Sequence, residues 1–441
     1  MKRMINNISL CEPLYKTLPK KILIKNGMVI DPFSEREYES DILISNGKIE
    51  KIAKNIKAEM GCEAIDAKGL YVSHGFFDMH VHLREPGYEQ AENFVSGTNA
   101  AMAGGVTALA AMANTTPCVD NKFVYNDIKS RVKGLLVDVH QIPAVTIKRE
   151  GKVIVEMTEL AEAGAPAFSD DGSGIQSSET MKGALEYAKM FGTPILVHPE
   201  DHSFVEGVMN ESLSSTELGM SYIPAIAESI NVARDIEIAR YVGGTVHFQH
   251  VSVKESIELV RKAKKEGLKV TCEVTPHHFS LTDDMVRTFS TDYKMNPPLR
   301  TQEDVDAVHK ALKDGTIDAI ATDHAPHPSE KKNVEFDFAP FGVLGLETMF
   351  SAGITYLVRK KKLSLMEFLK KITVNPRKIL NLEADLFQKG KTAELVIFDK
   401  DKKWKVDRRK LNSLSINTCF HDDTHFGKVL YTINNGKVYK A

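Results

Sequence analysis

Short apolar runs alternate with longer amphipathic stretches through the middle of the chain. The runs have the length of buried strands and are found at Phe76–Leu83, Val106–Ala113, Val137–Val145, Ala165–Ser169, Pro194–His198, Thr245–His250, Lys269–Val274 and Asp318–Thr322. The clearest helical patterns are Ala91–Ala103, Ser178–Phe191, Ile226–Val242, Val253–Glu266 and Gln302–Lys313. This alternation predicts an α/β fold, a (β/α)8 TIM barrel. An open doubly wound sheet is the alternative, but no Gly-rich dinucleotide fingerprint follows the first strand.

Both ends of the chain have a different pattern, in which β-like runs alternate with turns. Residues 22–27 predict a strand ending in an Asn-Gly turn, and residues 41–49 predict a second strand and turn. Residues 393–399 predict a strand, and 429–439 a hairpin. We therefore expect 22–72 and 386–441 to form one small composite β-sandwich domain, with 1–21 as an N-terminal extension and 73–385 as the barrel.

The composition is that of an ordinary soluble globular protein. Of its 441 residues, 42% are hydrophobic and 26% are charged, and the formal net charge is -2. This balance provides no basic surface for nucleic acid or a membrane, so we expect a small-molecule substrate. Five dispersed cysteines without a CxxC pair, and no apolar run as long as a membrane span, favour a cytoplasmic protein.

Metal-ligand residue types lie at the carboxyl ends of several predicted strands. They are His80 and His82 at the first, Asp170 or Asp171 at the fourth, His198 at the fifth, His250 at the sixth and Asp323 at the eighth. An isolated His-x-His pair is more often structural, but the carboxyl ends of barrel strands meet on one face. The set therefore predicts a metal site, and nitrogen and oxygen ligands without thiolates suit zinc, with enough ligands for one or two ions.

At these residues the chain resembles the dihydroorotases of the amidohydrolase superfamily. Residues 75–87 and 320–327 resemble the two signatures of that family, and 295–300 and 339–348 are further matches. The resemblance covers about residues 22–400. It implies a zinc-dependent enzyme that reversibly cyclises N-carbamoyl-L-aspartate to L-dihydroorotate and water in de novo pyrimidine synthesis.

The resemblance also implies a role for each ligand. His80, His82 and Asp323 would bind one zinc ion, His198 and His250 a second, and Asp171 would lie between them. Many relatives carry a carbamylated lysine at the end of strand four, whereas this chain has Asp170 and Asp171 there and resembles the branch that uses aspartate. Asp323 would also be the catalytic acid and base.

The substrate-binding positions of the family match Arg84, Asn114, Asn296 and His327 and the backbone of Phe341 and Gly342. Arg84 shares a strand face with the metal-site histidines, and its planar guanidinium suits a carboxylate. Taken alone, the two asparagines could equally be turn residues. His277 and His278 are expected to be supporting or loop residues. Residues 417–427 depart from the family pattern and are expected to lie away from the site.

Two alternatives remain open. Hydantoinases, dihydropyrimidinases and allantoinases share the barrel, but they carry the strand-four lysine and lack the arginine after His-x-His. A non-catalytic subunit that supports aspartate transcarbamoylase would typically have lost the metal-site histidines, which are present here. We expect a homo-oligomer, and the resemblance allows a complex with aspartate transcarbamoylase.

Overall fold

The strands form two assemblies, one from the middle of the chain and one from its ends. The computed structural model describes residues 12–58 and 60–441. In this part the strands are β1 (Lys16–Thr17), β2 (Lys21–Asp31), β3 (Arg36–Ser45), β4 (Lys48–Ala53), β5 (Glu63–Asp66), β6 (Tyr71–His74), β7 (Phe76–Val81), β8 (Val106–Ala111), β9 (Asp138–Gln141), β10 (Phe168–Ser169), β11 (Ile195–Val197), β12 (Met209–Asn210), β13 (Tyr222–Ile223), β14 (Val246–Phe248), β15 (Val270–Val274), β16 (Ala319–Ile320), β17 (Leu395–Lys405), β18 (Thr424–Asn434) and β19 (Lys437–Lys440).

Eight short parallel strands form the predicted barrel. They pair in the orders β7-β8-β9 and β10-β11-β14-β15-β16. Ser169 N–H donates to Pro143 O at 2.9 Å and connects the two sets on one side. His82 N–H donates to His324 O at 2.9 Å and connects them on the other. Each strand lies within or beside a predicted apolar run, so the eightfold alternation correctly predicted the barrel.

Helices surround the barrel and begin close to the predicted positions. They are α1 (Phe94–Ala103), α2 (Lys122–Arg131), α3 (Met157–Glu162), α4 (Ser178–Lys189), α5 (Leu213–Leu218), α6 (Ile226–Val242), α7 (Lys254–Lys265), α8 (Pro276–Ser280), α9 (Gln302–Asp314), α10 (Ser329–Lys332), α11 (Met349–Ala352), α12 (Leu365–Lys371) and α13 (Val374–Ile379). Helix α1 begins after Asn93, because Asn93 and Ser96 cap each other's backbone N–H groups. None of the helices in the described ranges is long and apolar enough to cross a membrane.

Both chain ends enter one nine-stranded sheet. Its order is β1-β19-β18-β17-β6-β2-β3-β4, with β5 paired to β2. Strand β17 lies antiparallel to β6, with Leu395 opposite His74 directly before the first barrel strand. Residues 1–11 of the expected N-terminal extension lie outside the described residues, while Lys16 and Thr17 pair with β19.

The first Asn-Gly pair is not a turn, and that prediction was wrong. Strand β2 continues through Asn26 and Gly27, and its register against β3 shifts between Ile24 and Gly27. Asn26 has a φ of 60°, and its N–H donates to the Asp41 carboxylate at 2.9 Å. Asp41 thus satisfies a backbone group that the bulge removes from the ladder. The Asn-Gly pairs at 46–47 and 435–436 turn as predicted.

An apolar cluster fills the barrel below its carboxyl end. Phe77, Ala108, Leu196 and Ala321 pack together although they come from β7, β8, β11 and the end of β16. Side chains from such distant strands can meet only across the barrel interior. The polar residues that follow the strands therefore lie above a dry, packed floor.

Candidate metal centre and substrate cavity

The predicted site residues meet at the carboxyl end of the barrel, around a cavity of about 240 Å³. The cavity is lined by His82, Arg84, Asn114, Asp171, Gly172, His198, His250, Asn296, Asp323, Ala325, His327, Phe341 and Gly342. His80 lies just below it and is fully buried. The structure thus brings together all of the site residues that the sequence predicted.

The first ligand group consists of His80, His82 and Asp171. His80 Nε2 lies 3.3 Å from Asp171 Oδ1, and His82 Nε2 lies 3.4 Å from Asp171 Oδ2. Asp323 Oδ1 lies 2.9 Å from His82 Nε2 and 3.6 Å from His80 Nε2. Two imidazoles and two carboxylates therefore converge on one point.

The second ligand group shares Asp171 with the first and adds His198 and His250. His198 Nδ1 lies 3.6 Å and His250 Nε2 3.8 Å from Asp171 Oδ1. The two ring nitrogens are 2.8 Å from each other. Asp171 faces imidazoles with both of its oxygens, which is the position that a bridging ligand requires.

Asp170, the other acid at the end of β10, is engaged elsewhere. Its Oδ1 accepts from Val145 N–H at 2.8 Å and Thr146 N–H at 3.0 Å, and its Oδ2 accepts from the Thr146 hydroxyl. These bonds attach the end of β10 to the loop that follows β9. Asp170 is therefore a structural residue, and the geometry favours Asp171 as the ligand.

Two residues orient the histidines: Glu273, which the sequence did not predict, and Asn114, which it predicted only as a substrate-binding residue. Glu273 Oε1 accepts from His80 Nδ1 at 2.8 Å, and Glu273 Oε2 lies 3.2 Å from His247 Nε2. Asn114 Oδ1 accepts from His82 Nδ1 at 2.8 Å. A ring that donates from Nδ1 keeps its Nε2 lone pair for a metal. Glu273 lies on β15 without any motif, so only its spatial position identifies this role.

The charges in the cluster are stabilised by each other against the effect of burial. Burial raises the pKa of Asp171, but His80, His198 and His250 hold it well below its usual range. Burial lowers the pKa of His80, but Asp171 and Asp323 raise it well above the ordinary value. Burial likewise opposes the shift of His198, whose pKa Asp171 and Glu200 raise to about 10.

This donor set fits a divalent cation. His80 Nε2 is buried, faces Asp171 and has no hydrogen-bond partner in the part of the chain that the structure describes. Protons on His80 and His198 balance the carboxylates, and a cation would replace those protons. Neutral imidazole nitrogens with carboxylate oxygens, and no sulfur, suit zinc among the common metals.

Asp323 is placed by the first barrel strand. Asp78 accepts from Thr322 N–H at 3.0 Å and from the Thr322 hydroxyl at 2.5 Å. Asp323 itself has a φ of 49°, a conformation that is uncommon for residues with a side chain and that clusters at functional sites. Burial raises the pKa of Asp323, but His80 and His82 lower it below its ordinary value. Asp323 is therefore an anion.

Arg84 and His327 form one wall of the cavity, and Arg84 supplies its positive charge. Arg84 Nε donates to Pro326 O at 3.1 Å, and its φ is 63°. His327 Nε2 donates to Phe341 O at 2.7 Å, so this nitrogen carries the proton and the 3.4 Å contact with Arg84 is not a hydrogen bond. Burial lowers the pKa of His327 to about 3, and the Arg84 charge adds to the effect.

Asn296 and the Phe341–Gly342 segment form another part of the cavity lining. Asn296 Nδ2 donates to Glu200 Oε1 at 2.9 Å, while its Oδ1 is buried and has no donor among the described residues. Gly342 N–H donates to Lys294 O at 2.9 Å. Within the described residues, the Phe341 N–H forms no hydrogen bond. This wall therefore offers one acceptor and one donor to a ligand.

The C-terminal segment reaches the cavity, contrary to the expectation that it lies elsewhere. Asn417 Nδ2 donates to Ala325 O at 3.1 Å and Gly342 O at 3.0 Å. Asn417 Oδ1 accepts from His327 N–H at 3.2 Å. Asn417, the first residue of the segment that departs from the family pattern, therefore contacts residues that line the cavity.

Among the described residues, His277 and His278 do not belong to either metal-ligand group. His278 is held by Thr275 Oγ1 at 2.8 Å and Pro297 O at 3.0 Å, which stabilises the loop that carries Asn296. Burial lowers the pKa of His277 to about 4 and that of His278 well below the ordinary value. Both rings are neutral supporting residues.

Comparison with known proteins assigns the family. The model of the amidohydrolase family matches residues 71–439. A dihydroorotase of Geobacter metallireducens is 47% identical over 420 residues, which cover 95% of this chain and 99% of that protein. A dihydroorotase of Ruminiclostridium cellulolyticum is 45% identical over 421 residues, covering 94% and 97%. The chain belongs to the dihydroorotase family of amidohydrolases. As a member of the dihydroorotase family, it is a hydrolase.

Solved structures are similar to this chain over nearly its whole length. The L-hydantoinase (dihydropyrimidinase) of Arthrobacter aurescens superimposes with a TM-score of 0.85 at 25% identity, covering 95% of both chains. A D-hydantoinase (dihydropyrimidinase) of a Thermus species gives 0.78 at 26% identity and covers 95% of this chain and 94% of that one. These similarities confirm the fold class that the alternating pattern predicted.

Proposed function

We propose that this protein is a zinc-dependent dihydroorotase that interconverts N-carbamoyl-L-aspartate and L-dihydroorotate in pyrimidine synthesis. The observation that carries the proposal is the convergence of both ligand groups and Arg84 on one small cavity. A shared carboxylate between the groups suits two ions, and a guanidinium beside them suits a substrate carboxylate. The names of the similar curated proteins agree with this reaction.

The first ion would be held by His80, His82 and Asp323 and the second by His198 and His250, with Asp171 between them. When bound, the ions would lower the pKa of water and polarise the amide carbonyl. In ring opening, Asp323 would take the proton of the attacking water and deliver it to the leaving ring nitrogen. In ring closure, Asp323 would take a proton from the carbamoyl nitrogen. Because the protonated carboxyl group is the electrophile, lower pH should favour closure.

The cavity walls would hold the substrate at its two polar regions. Arg84 would bind the carboxylate, with Asn114 and His327 beside it, and a bound anion would favour the protonated His327 ring. Asn296 Oδ1 has no donor from the described part of the chain and would accept a ring N–H. The Phe341 N–H would donate to a ring carbonyl, which leaves the Gly342 N–H bonded to Lys294.

The first experiment measures zinc per subunit and dihydroorotate hydrolysis in protein purified without chelator. We expect about one or two zinc ions per subunit, with activity that falls on chelation and returns with zinc. Hydantoin, dihydrouracil and allantoin serve as comparison substrates, and faster hydrolysis of one of them would assign the chain to that activity instead. Absence of both metal and activity would favour a non-catalytic subunit.

Replacing Asp323 tests the proton-transfer role. Asp323→Asn keeps the size of the side chain but removes its basicity. We therefore expect turnover to fall by about 10⁴-fold or more, as when a group central to proton transfer is lost, with substrate affinity largely retained. Asp306→Asn, on the exposed face of helix α9, is the control. Retained turnover in Asp323→Asn would refute the assignment.

The proposal extends to assembly. The resemblance to dihydroorotases favours a homo-oligomer that can associate with an aspartate transcarbamoylase. Size-exclusion chromatography of the chain, alone and with that enzyme, tests both statements.

A further inference from the structure

A buried lysine lies behind the substrate cavity. Lys332 ends helix α10, and only 6% of the residue is exposed. Its ammonium donates to Pro340 O at 3.0 Å, Gly342 O at 3.0 Å and Lys294 O at 3.3 Å. An ammonium has three protons to donate, so these carbonyls satisfy it completely.

The three carbonyls belong to the two segments that form one wall of the cavity. Gly342 lines the cavity directly, and Lys294 lies two residues before Asn296. The two segments are also joined by the bond from Gly342 N–H to Lys294 O at 2.9 Å. The Lys332 ammonium therefore lies at the junction of the Phe341 segment and the Asn296 segment.

Every carbonyl of the Phe341 segment is engaged before a substrate arrives. Pro340 O accepts from Lys332, Phe341 O accepts from His327, and Gly342 O accepts from both Lys332 and Asn417. The side chain of Lys294 adds to this fixation, because its ammonium lies 4.8 Å from the centre of the Phe341 ring. A segment fixed in this way loses little conformational entropy when a ligand binds.

A role in stability alone does not account for a charge in this place. Burial lowers the pKa of Lys332 to about 8, Asp292 acts in the opposite direction and Lys294 adds to the lowering. Asp292 is itself paired with Arg408 at 2.6 Å. A buried charge is weak evidence for stability, because an apolar side chain of similar volume often serves as well. The directional hydrogen bonds are what an apolar residue could not supply.

We propose that Lys332 is a positioning residue of the substrate cavity. Its ammonium joins the Pro340–Gly342 backbone to Lys294. It thereby sets the distance between the Phe341 N–H and Asn296 Oδ1, the two groups that would bind opposite edges of the cyclic amide substrate. This assignment rests on the proposed dihydroorotase function. Lys332 touches no reacting atom, and it acts through the backbone that contacts the ring.

The adjacent Lys331 offers a matched control, because it is exposed and its replacement removes the same charge. In Lys332→Met we expect the KM for dihydroorotate to rise about tenfold or more with kcat within about threefold of wild type, since uniform substrate binding is what is lost. Zinc content should be unchanged. Lys331→Met should match wild type in both kinetic constants.

Amide hydrogen exchange of residues 338–345 provides a measurement that does not depend on activity. The Gly342 N–H should exchange faster in Lys332→Met than in Lys331→Met, with the remainder of the barrel unchanged. Equal KM values and equal exchange in the two variants would overturn the positioning role. A rise in KM accompanied by lost zinc would also overturn it.

Two further outcomes are distinguishable. If neither wild type nor Lys331→Met hydrolyses dihydroorotate, the proposed function fails and the exchange comparison alone decides the positioning role. If Lys332→Met does not fold, Lys332→Gln replaces it, because this uncharged side chain has only two N–H donors and leaves at least one of the three carbonyls without its bond. A KM and an exchange rate for Lys332→Gln equal to those of Lys331→Met would overturn the proposal.

Discussion

At the scale of single residues, the two halves of the cavity are connected by one carboxylate. Glu200 Oε2 lies 3.4 Å from His198 Nε2, and its Oε1 accepts from Asn296 Nδ2. Burial raises the pKa of Glu200, but His198 and Asn296 lower it to about 2, so Glu200 is an anion. It therefore holds the Nε2 proton of His198, which leaves Nδ1 as the nitrogen that a metal would use, and it directs the free oxygen of Asn296 toward the cavity.

We expect Glu200→Gln to weaken both the orientation of His198 toward a metal and the orientation of Asn296 toward the cavity. The amide can accept from Asn296 only by presenting its NH₂ group to His198, which reverses the tautomer that metal binding needs. Zinc content should fall toward one ion per subunit and kcat/KM should fall by about 10- to 100-fold, as for other residues that orient metal ligands. Metal analysis and dihydroorotate kinetics measure this, and the exposed Glu206→Gln is the control. Unchanged zinc and kinetics would contradict the role.

At the scale of elements, the end of helix α1 and the loop after β16 are so close that no side chain fits between them. Gly104 follows helix α1, and a Cβ there would lie 2.0 Å from Leu346 O. Its φ of -83° suits any residue, so the restriction is steric alone. Leu346 follows the segment that carries Phe341 and Gly342, so this contact determines where the cavity wall returns to the barrel.

Gly104→Ala should therefore destabilise the protein by about 1–3 kcal/mol or more, because a backbone carbonyl has to move. Gly183→Ala in helix α4 is the matched control, since the nearest atom to its added Cβ is the flexible end of Ile154 at 3.1 Å. Alanine is the better helix former by about 1 kcal/mol, so this control should be neutral or stabilising. Thermal unfolding measures the difference, and equal midpoints for both variants would show that the loop adapts freely.

At the scale of the whole molecule, the sheet made from both chain ends encloses a buried histidine. The His425 ring packs among Phe420, Trp404 and Tyr356 at centroid distances of 5.0, 6.2 and 5.9 Å. Its Nδ1 lies 2.8 Å from Ser351 Oγ, whereas its Nε2 has no hydrogen-bond partner within residues 12–58 and 60–441. Burial lowers the pKa of His425 to about 4.

This histidine should make the fold sensitive to acid. The unfolded chain protonates it near pH 6.5, but the folded protein does so only near pH 4, so stability is lost as the pH falls between these values. In His425→Phe, the decrease in melting temperature from pH 6.5 to pH 5 should be smaller than in wild type. His421→Gln, at a more exposed ring, is the control. An identical decrease in His425→Phe and wild type would exclude the contribution of His425.

Local pattern was sufficient for the barrel and for the positions of most candidate ligands. Strands as short as β10 and β16 were predictable because each lies in an apolar run separated from the next by an amphipathic helix. The candidate ligands His80, His198 and Asp323 lie at or just after strand ends, and in a parallel barrel all strand ends meet on one face. Position along the chain therefore implied position in space for these residues.

What the sequence alone determined is the alternation of elements and the side chains at the strand ends, because both follow from local periodicity. The tertiary structure decided which groups from distant segments come into contact. It selected Asp171 over Asp170, converted the Asn26–Gly27 pair into a bulge, and brought Asn417 and Lys332 to the cavity wall. Each of these outcomes depends on hydrogen bonds to groups from other segments of the chain, and buried polar groups take whichever partners the packed fold brings within reach.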